Sequence, residues 1–366
     1  MTQIQAAVFR EVLKPLTVES IDIDEPGPNE VLVRTVASGV CHSDLHVVDG
    51  NSRFDLSDPI ILGHEAAGIV EAVGDDVTSV LPGDHVVVCL SGFCGNCEQC
   101  LSGHPNLCTG GIVGRRPGEA PRLTQDGRKL TQLLNLGTFA EKMLVHENSL
   151  VKVDDDLPLD RVALISCGVL TGMGAALRTS GLEPGQTVAV FGCGGVGLSI
   201  IQGARIGGAR QIIAVDQFDS KLEMAKNVGA THTVNSRQDD AVKAVRELTG
   251  GAGVNHAFEA VGNGPLVRQA IESLGIRGTA TIVGVPPPDT VFEVPFMAIR
   301  PECKVQTSRM GSNRFRIDIP RYLEFYRQGR LLLDEMVSVR GRLGDVNEAF
   351  RAMKAGEVAR TVLTFD

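Results

Sequence analysis

The sequence predicts a two-domain α/β protein, with an irregular antiparallel β domain and a doubly wound parallel-sheet domain. The length of 366 residues suits about two domains. Short apolar runs separated by Pro and Gly clusters fill the first part of the chain, and from about residue 168 apolar runs alternate with helical patterns. Strands that alternate with helices are typical of a parallel sheet covered by helices on both faces.

In the first part, the predicted strands include residues 4–9, 30–36, 67–73 and 85–89. Turn sequences such as Pro82-Gly83-Asp84 separate them, which favours an antiparallel arrangement. Residues 108 to 137 are rich in Gly, Pro and Arg and have little periodicity, so they predict a long excursion over the surface. The basic pair Arg115 and Arg116 in this excursion is expected to be solvated.

The second part predicts a regular alternation of strands and helices. The strands are expected at residues 187–191, 211–215, 232–234, 254–259 and 279–285, and the helices at 196–206, 221–228, 239–248 and 265–274. Helices near 320–328 and 346–355 and a strand at 361–364 follow. We expect this tail to return to the first domain, so that residues 1–168 and 312–366 form the first domain and residues 169–311 form the second.

The composition excludes several classes of protein. The net charge is −9 and no basic stripe is present, which argues against nucleic acid as the main partner. The chain lacks an apolar run of about 18 residues, so no membrane span is expected. Its first residues, MTQIQAAVFREV, do not have the pattern of a signal peptide. We therefore expect a cytoplasmic protein with reduced thiols, in which clustered cysteines indicate metal binding.

Four cysteines lie close together in the run CGNCEQCLSGHPNLC. They are Cys94, Cys97, Cys100 and Cys108. Four thiolates at this spacing can surround one tetrahedral Zn²⁺ and leave no open position, so they predict a structural zinc site. Such a site stabilises the loop that carries it.

A second candidate metal site draws on residues that are far apart in sequence. Cys41 lies in GVCHSD, His64 in ILGHEAAG and Cys167 in ISCGVLTG. Two Cys and one His suit a catalytic zinc whose fourth position stays open for water or substrate. Spacing alone leaves an alternative open, in which the thiols pack as small apolar side chains and the histidine satisfies a core hydrogen bond. Glu65, beside His64, is an occasional ligand, a carboxylate that supports the ligands, or simply a surface charge.

A glycine-rich turn connects the predicted strand 187–191 to the helix that follows. The turn comprises Gly192, Cys193, Gly194, Gly195, Val196 and Gly197. Glycines at these positions permit a tight turn and let the backbone approach a pyrophosphate at the helix N-terminus. Asp216 ends the next apolar run, where an acid holds the adenosine ribose hydroxyls and repels a 2′-phosphate, so the pattern favours NAD over NADP. Lys221 can reach the same ribose or remain a solvated helix lysine.

At these residues the whole chain resembles zinc-dependent medium-chain alcohol dehydrogenases, particularly the longer, class I/III-like members. The resemblance rests on GVCHSDLHVVDG, ILGHEAAGIVEAVG, CGNCEQC, ISCGVLTGMGAAL and VAVFGCGGVGLS. It implies a GroES-like catalytic domain with a zinc lobe at residues 91–110, and a Rossmann coenzyme domain. It also implies a structural and a catalytic zinc in each subunit, and reversible hydride transfer between an alcohol and NAD.

The resemblance assigns roles to residues at matching positions. Cys41, His64 and Cys167 would hold the catalytic zinc. Ser43 would hydrogen-bond the alcohol, and His46 would carry its proton to solvent through the cofactor ribose. The other matching residues would contact the cofactor; they are Thr171, Val283 and Val285 at the nicotinamide and Arg360 at the pyrophosphate.

Three positions depart from the pattern of the family. His42 stands where many relatives carry Arg at the pyrophosphate, so we expect looser cofactor binding. Leu90 stands where relatives often have an aromatic residue, and Ser43 replaces a bulkier Thr. Together they predict a roomy pocket for long, allylic or aromatic alcohols.

Other functions and the oligomeric state remain open at this point. One alternative is a glutathione-dependent formaldehyde dehydrogenase, or a dismutase-type relative with tightly bound NAD, although the sequence has no clear anion site for a glutathione adduct. A nucleotide-binding protein that has lost catalysis, and a zinc-free quinone reductase, are disfavoured because all the candidate ligands of the open site are present. We expect a homodimer, with a tetramer as the alternative, through edge strands near residues 291–295 and 301–305.

Overall fold

The computed structural model describes residues 1–52, 54–111, 113–116 and 118–365. The chain forms two compact units. The first unit comprises Met1–Cys167, Arg314–Phe325 and Met336–Asp366, and the second comprises Gly168–Asn313 and Tyr326–Glu335.

Residues 326–335 belong to the second unit, whereas the sequence predicted them in the first. The reason is a buried glutamine on a helix of the second unit. Gln202 is fully buried, donates to the backbone carbonyl of Leu332 at 3.3 Å and accepts its N–H at 2.7 Å. Arg205, one turn further along the same helix, donates to the carbonyl of Arg330.

Both units are built from short strands and helices, numbered in chain order. The strands are β1 (Thr2–Phe9), β2 (Thr17–Ile23), β3 (Glu30–Gly39), β4 (Ile60–Ile61), β5 (Glu65–Val73), β6 (His85–Val88), β7 (Leu123–Gln125), β8 (Arg128–Gln132), β9 (Lys142–His146), β10 (Leu150–Val153), β11 (Thr187–Phe191), β12 (Gln211–Asp216), β13 (His232–Asn235), β14 (Val254–Glu259), β15 (Leu274–Ile282), β16 (Lys304–Thr307), β17 (Val337–Gly341) and β18 (Arg360–Thr364). The helices are α1 (His42–Val48), α2 (Glu98–Leu101), α3 (Leu159–Val162), α4 (Gly168–Gly174), α5 (Gly195–Ile206), α6 (Asp219–Asn227), α7 (Ala241–Leu248), α8 (Gly264–Glu272), α9 (Phe315–Arg327) and α10 (Val346–Ala355).

The first unit combines a closed barrel with an open sheet. The barrel has the order β1-β2-β7-β8-β4, and the sheet has the order β10-β6-β5-β3-β18-β17, with β9 also paired to β3. Apolar residues alternate inward along β1, where Ile4, Ala6 and Val8 are buried with Ile21 and Ile23 of β2. The C-terminal strand β18 lies between β3 and β17, so the tail completes the sheet of the first unit.

The expected surface excursion at residues 108–137 is partly a structural element. Its strands β7 and β8 close the barrel, and two of its arginines are tied to Glu30. Arg115 bonds Asp24 and Glu30, and Arg122 bonds Glu30 while only 5% of its side chain is exposed. The prediction that Arg115 is solvated was therefore wrong, because the acids that neutralise it come from a distant part of the chain.

The second unit has a six-stranded parallel sheet in the order β13-β12-β11-β14-β15-β16. This is the doubly wound order that places a dinucleotide at the carboxyl ends of the central strands. Strand β15 begins before the predicted residue 279, since Gly275 and Gly278 are accommodated within it. Residues 291–295, predicted as an edge strand, form no strand, and β16 is the last strand on that side.

Among the described residues no single helix is long and apolar enough to cross a membrane. One bent pair of helices, Leu159–Ser166 and Gly168–Thr179, is long and apolar enough when the two are counted together, on length and composition alone.

Candidate metal and cofactor sites

Four side chains from distant parts of the first unit converge in its interior. Cys41 precedes α1, His64 and Glu65 lie at the start of β5, and Cys167 ends the first unit before α4. All four are buried, and their candidate ligand atoms lie within 4.8 Å of one another. The structure therefore brings together the complete set that the sequence suggested for an open metal site.

The chemistry of this group fits a divalent cation. His64 Nδ1 lies 3.2 Å from Asp44 Oδ1, and His64 Nε2 has no hydrogen-bond partner among the described residues. A fully buried ring nitrogen without a partner is costly, and a metal ion relieves that cost. Burial acts to lower the pKa of His64, but the charges of Asp44 and Cys41 outweigh it and raise the pKa to about 10. The surroundings of this histidine therefore favour a positive charge. Two thiols and an imidazole are ligands that Zn²⁺ prefers.

Asp44 is a residue of this site that the sequence reasoning missed. It is fully buried on α1, and its carboxylate accepts the backbone N–H groups of Cys41 at 3.3 Å and Gly63 at 2.9 Å in addition to facing His64. A carboxylate behind a ligating histidine fixes the orientation of the ring. The signal was present, because Asp44 follows Cys41 by three residues in the CHSD block, but burial could not be read from the sequence.

Glu65 and Arg360 form a buried ion pair. Glu65 is fully buried, and Arg360, the first residue of β18, is 5% exposed. Gly39 makes room for them, because a Cβ at this position would overlap the Glu65 carboxylate. Two roles stay predictions: that Arg360 contacts the cofactor pyrophosphate, and that Glu65 is a metal ligand. In this structure the two side chains are paired with each other.

Ser43 and His46 lie on α1, next to the buried group. Ser43 Oγ is 3.9 Å from Cys41 Sγ, and the serine is exposed while His46 is half-buried. Residues three apart on a helix share a face. His42, the first residue of α1, is exposed.

The second cysteine group forms a separate, half-buried lobe of the first unit. The sulfur atoms of Cys94, Cys97, Cys100 and Cys108 lie within 4.8 Å of one another. Backbone N–H groups point at these sulfurs, including Cys94 N–H to Cys108 Sγ and Cys97 N–H to Cys94 Sγ, both at 3.3 Å. Hydrogen bonds from the backbone N–H groups of Cys100 and Thr109 lower the pKa of Cys97 to about 5. Donors aimed at sulfur favour thiolates, which is what a tetrahedral zinc requires.

The glycine-rich turn of the second unit leaves a cradle at the start of α5. Gly192 has φ +95°, and a Cβ on Gly197 would collide with the Gly192 carbonyl. A Cβ on Gly194 would meet no described atom within 4 Å, so the space above the turn is open. Gly194 caps α5 without a side chain, and Gly195 and Val196 begin the helix. Exposed backbone N–H groups at a helix N-terminus fit a pyrophosphate.

Asp216 ends β12 beside this turn and is 9% exposed. Its Oδ2 accepts the N–H of Cys193 at 2.8 Å, and its Oδ1 accepts the N–H groups of Gln217 and Phe218 at 2.8 and 3.1 Å. These bonds fix the carboxylate at the carboxyl end of the sheet, next to the glycine-rich turn. Lys221 lies in the first turn of α6, with Nζ 5.1 Å from the centre of the Phe218 ring.

The residues assigned to the nicotinamide also lie in the second unit. Thr171 is 7% exposed on α4 and its hydroxyl donates to Met310 Sδ at 3.4 Å. Val283 is buried, with its N–H bonded to the Glu259 carbonyl at 2.8 Å, whereas Val285 is 65% exposed. Their contact with a nicotinamide stays a prediction.

Glu259 is a second residue that the sequence reasoning missed. It is fully buried at the end of β14, and its Oε1 accepts the backbone N–H groups of Val261, Gly262 and Asn263. Burial raises the pKa of Glu259 despite these bonds. The carboxyl group thereby shapes the loop that packs against the backbone of Val285 through Gly262.

Comparison with known proteins identifies the family. Residues 27–155 match the alcohol dehydrogenase GroES-like domain, and residues 195–327 match the zinc-binding dehydrogenase domain. The chain is 39% identical to an NDMA-dependent alcohol dehydrogenase of Amycolatopsis methanolica over 98% of each protein. It belongs to the zinc-dependent medium-chain alcohol dehydrogenases.

Two further members of this alcohol dehydrogenase family narrow the comparison. An S-(hydroxymethyl)glutathione dehydrogenase of Saccharomyces cerevisiae is 37% identical over 99% of this chain and 96% of its own. The crystal structure of a benzyl alcohol dehydrogenase from Acinetobacter calcoaceticus superposes with a TM-score of 0.91 at 33% identity and covers all of both chains. The chain is thus an oxidoreductase with a GroES-like and a Rossmann-like domain, and the interpretation as a non-catalytic nucleotide-binding protein was wrong.

Proposed function

We propose that this alcohol dehydrogenase is an NAD-dependent enzyme with a structural and a catalytic zinc in each subunit, acting on bulky, allylic or aromatic alcohols. The observation that carries the proposal is that the ligand atoms of Cys41, His64 and Cys167 lie close together in the interior. Among the described residues, His64 Nε2 in this group has no hydrogen-bond partner. The reduced thiols that both groups require fit a cytoplasmic enzyme. A small-molecule alcohol is its expected substrate, with neither nucleic acid nor a membrane as a partner.

The residues of the chain divide the work. When bound, zinc and NAD supply Lewis acidity and a hydride acceptor. Ser43 is small and exposed beside Cys41, where its hydroxyl can orient an alcohol and accept its proton. His46, three residues along the same helix, is placed to carry that proton towards solvent. Asp44 holds His64 in one orientation.

A substrate screen with metal analysis tests the reaction. Purified protein should reduce NAD⁺ with primary, allylic, benzylic or secondary alcohols, and its metal content should correspond to both cysteine groups. Cys167→Ser should abolish turnover and remove one zinc while the fold is retained. Cys303→Ser, which alters a half-buried thiol outside both groups, is the control and should leave both properties unchanged. Fully active protein with one zinc or none would refute the proposal.

Pocket size determines the expected order of substrates. Leu90 is half-buried and Ser43 is small, so benzyl, cinnamyl and hexyl alcohols should have a higher kcat/KM than ethanol. One methylene in an apolar pocket is worth about 1–3 kcal/mol of discrimination. The likeness to a benzyl alcohol dehydrogenase supports this class. Leu90→Phe should shift the order towards ethanol, and a wild-type preference for ethanol would contradict the assignment.

A second candidate is an enzyme that keeps NAD tightly bound during turnover. Its support is a relative at 39% identity that is named for dependence on NDMA, a compound other than NAD. Heat-denatured, extensively dialysed protein should then release about one NAD per subunit, whereas an enzyme with exchangeable NAD should release none. S-(hydroxymethyl)glutathione belongs in the same screen, because a relative is named for that substrate.

A further inference from the structure

Lys221 and Arg237 both lie over the aromatic ring of Phe218. This ring follows Asp216, the acid that we expect to bind the adenosine ribose. The Arg237 guanidinium carbon lies 4.6 Å from the centre of the Phe218 ring, and Lys221 Nζ lies 5.1 Å from it. Both cations are therefore within about 10 Å of each other, a Debye length at 0.1 M salt, and they repel each other. In the described part of the chain neither has a carboxylate within 4.0 Å.

Backbone hydrogen bonds connect Phe218, Lys221 and the strand before Arg237 to Asp216, since the Lys221 N–H binds the Phe218 carbonyl at 3.1 Å. Phe218 follows Asp216 by two residues, and its N–H binds the Asp216 carboxylate. Arg237 approaches from the next strand, because the Ser236 N–H binds the Asp216 carbonyl at 3.0 Å and Asn235 pairs with Asp216 in the sheet. The Arg237 N–H is held in turn by Asn235 Oδ1 at 3.0 Å. The cations are thus positioned by the fold at the carboxyl ends of β12 and β13.

We propose that Lys221 and Arg237 form a cationic seat for a 2′-phosphate at the adenosine ribose, and that Asp216 alone closes this seat to NADP. The inference rests on the proposed NAD-dependent function and adds Arg237 as a specificity-determining residue. A dianionic phosphate would neutralise the repulsion between the two cations, while the Asp216 carboxylate repels it. Preference for NAD is therefore a balance of opposing charges, and removing the acid should reveal the seat.

The test measures binding of cofactor fragments and does not depend on turnover. Adenosine 2′,5′-bisphosphate and 5′-AMP differ only in the 2′-phosphate, and their dissociation constants can be measured by calorimetry. Asp216→Asn should bind the bisphosphate at least about tenfold more tightly than the wild type, as expected for loss of a repelling charge near the phosphate. In the Asp216→Asn background, Arg237→Gln should weaken bisphosphate binding about fivefold, which is the upper range for one exposed ion pair. The affinity for 5′-AMP should stay nearly unchanged.

Matched controls exclude a general charge effect and a folding defect. Arg268→Gln removes the same charge from a helix arginine that pairs with Glu272, and Lys226→Gln does so on α6, where the lysine pairs with Glu223. Neither should change the ratio of bisphosphate to 5′-AMP affinity, and raised salt should weaken binding of the bisphosphate more than binding of 5′-AMP.

Two outcomes separate the inference from the function on which it rests. If Arg237→Gln and Lys221→Gln leave the affinity ratio unchanged in the Asp216→Asn background, there is no seat and the inference is overturned. If the wild type binds neither 5′-AMP nor NAD, the proposed function itself fails. A single cooperative thermal unfolding transition shows that each variant is folded, and Asp216→Asn is compared with its own double variants, which share any loss of stability at this position.

Discussion

At the scale of single residues, Asp44 shows how one buried carboxylate organises a candidate metal site. It bonds His64 and the backbone at both Cys41 and Gly63, so it joins two of the candidate ligands. Its three acceptor bonds leave the charge well satisfied although no solvent reaches it. The hydrogen bonds of Asp44 therefore help to set the geometry of the candidate ligands.

Asp44→Ala should lower zinc affinity at the catalytic group about 10- to 100-fold, as loss of a supporting carboxylate typically does. Competition with a chelating dye would measure it, and the zinc of the four-cysteine lobe should be retained. Asp49→Ala is the control, because Asp49 ends the same helix but pairs with Lys354 at the surface. A folded Asp44→Ala protein with unchanged zinc affinity would contradict the positioning role.

His42→Arg should tighten NADH binding at pH 8 and lower kcat for alcohol oxidation. Arginine keeps its charge and can grip a phosphate with several donors, whereas an ordinary histidine, with a pKa of about 6.5, is mostly neutral at that pH. Product release often limits enzymes that close on a ligand, so tighter binding slows turnover. Fluorescence titration of NADH at pH 6 and pH 8 measures the effect. Equal affinities at pH 8 would remove His42 from the cofactor site.

At the scale of elements, the excursion between residues 108 and 137 is held by a charge cluster centred on Glu30. Burial acts to raise the pKa of Glu30, but hydrogen bonds from Arg115 and the charge of Arg122 outweigh it and hold the pKa below its ordinary value of 4.5. The stability from this carboxylate is therefore complete above pH 4.5 and is lost as the pH falls towards the lowered folded-state pKa.

Glu30→Gln should destabilise the protein by about 3 kcal/mol at pH 7, since it leaves the buried guanidinium of Arg122 without its counter-ion. The difference in free energy of unfolding from the wild type should shrink as the pH falls below 4.5. Denaturant titrations at pH 7 and pH 4 measure both quantities. Glu119→Gln, on the exposed part of the same excursion, should have little effect at either pH. A difference that is constant with pH would mean that the charge of Glu30 is unimportant.

The four-cysteine lobe is connected to the start of α9 within the first unit. Arg314 Nε donates to the Gly103 carbonyl at 2.9 Å, and the guanidinium of Arg316 lies 5.3 Å from the centre of the Phe93 ring. Phe93 also packs edge-on against Phe315 at 6.0 Å. If this lobe holds the proposed zinc, its loss should therefore loosen α9 as well as the lobe.

Cys100→Ser should speed hydrogen exchange at residues 94–108 and in the first turn of α9, because a structural zinc contributes folding energy to its loop. Exchange in the sheet of the second unit should not change. Cys303→Ser again serves as the matched substitution outside both groups. If α9 exchanges at the wild-type rate while the lobe opens, the contacts of Arg314 and Arg316 do not couple the two.

At the scale of the whole molecule, the second unit carries an open sheet edge and exposed apolar side chains. Strand β16 ends the sheet, and among the described residues it pairs only with β15. Val291, Phe296 and Met297 are each more than 80% exposed. An unpaired edge beside an apolar patch is typical of an interface, and we expect a second copy of the chain to cover it.

If the chain forms the expected dimer, Phe296→Asp combined with Met297→Asp should convert it into a monomer, because two charges would have to be buried without partners in each copy. Light scattering after gel filtration measures the mass. Leu13→Asp places a charge on another exposed apolar residue, in the first unit, and should leave the mass unchanged. A wild-type monomer, or a double variant with the wild-type mass, would contradict this interface.

The sequence predicted the architecture because the periodicity of strands and helices is local. The fold class is confirmed, and the predicted α10 coincides with the observed helix. Interactions between distant residues could not be read in this way. Asp44 needed burial beside His64, Arg115 needed acids some 90 positions earlier, and residues 326–335 needed the side chain of Gln202. The metal and cofactor assignments of the individual residues stay predictions.

The position of β18 has a consequence for how the protein is made. Strand β18 pairs with Ala37–Gly39 of β3, just before Cys41, and its first residue, Arg360, neutralises Glu65. During synthesis the four-cysteine lobe is complete once Cys108 has left the ribosome, whereas the buried group around His64 waits for β18. We expect the lobe to take up zinc early, on the nascent chain, and the catalytic group to do so only after β18 has emerged from the ribosome. A message truncated before β18 would therefore yield a protein that is partly metallated and inactive.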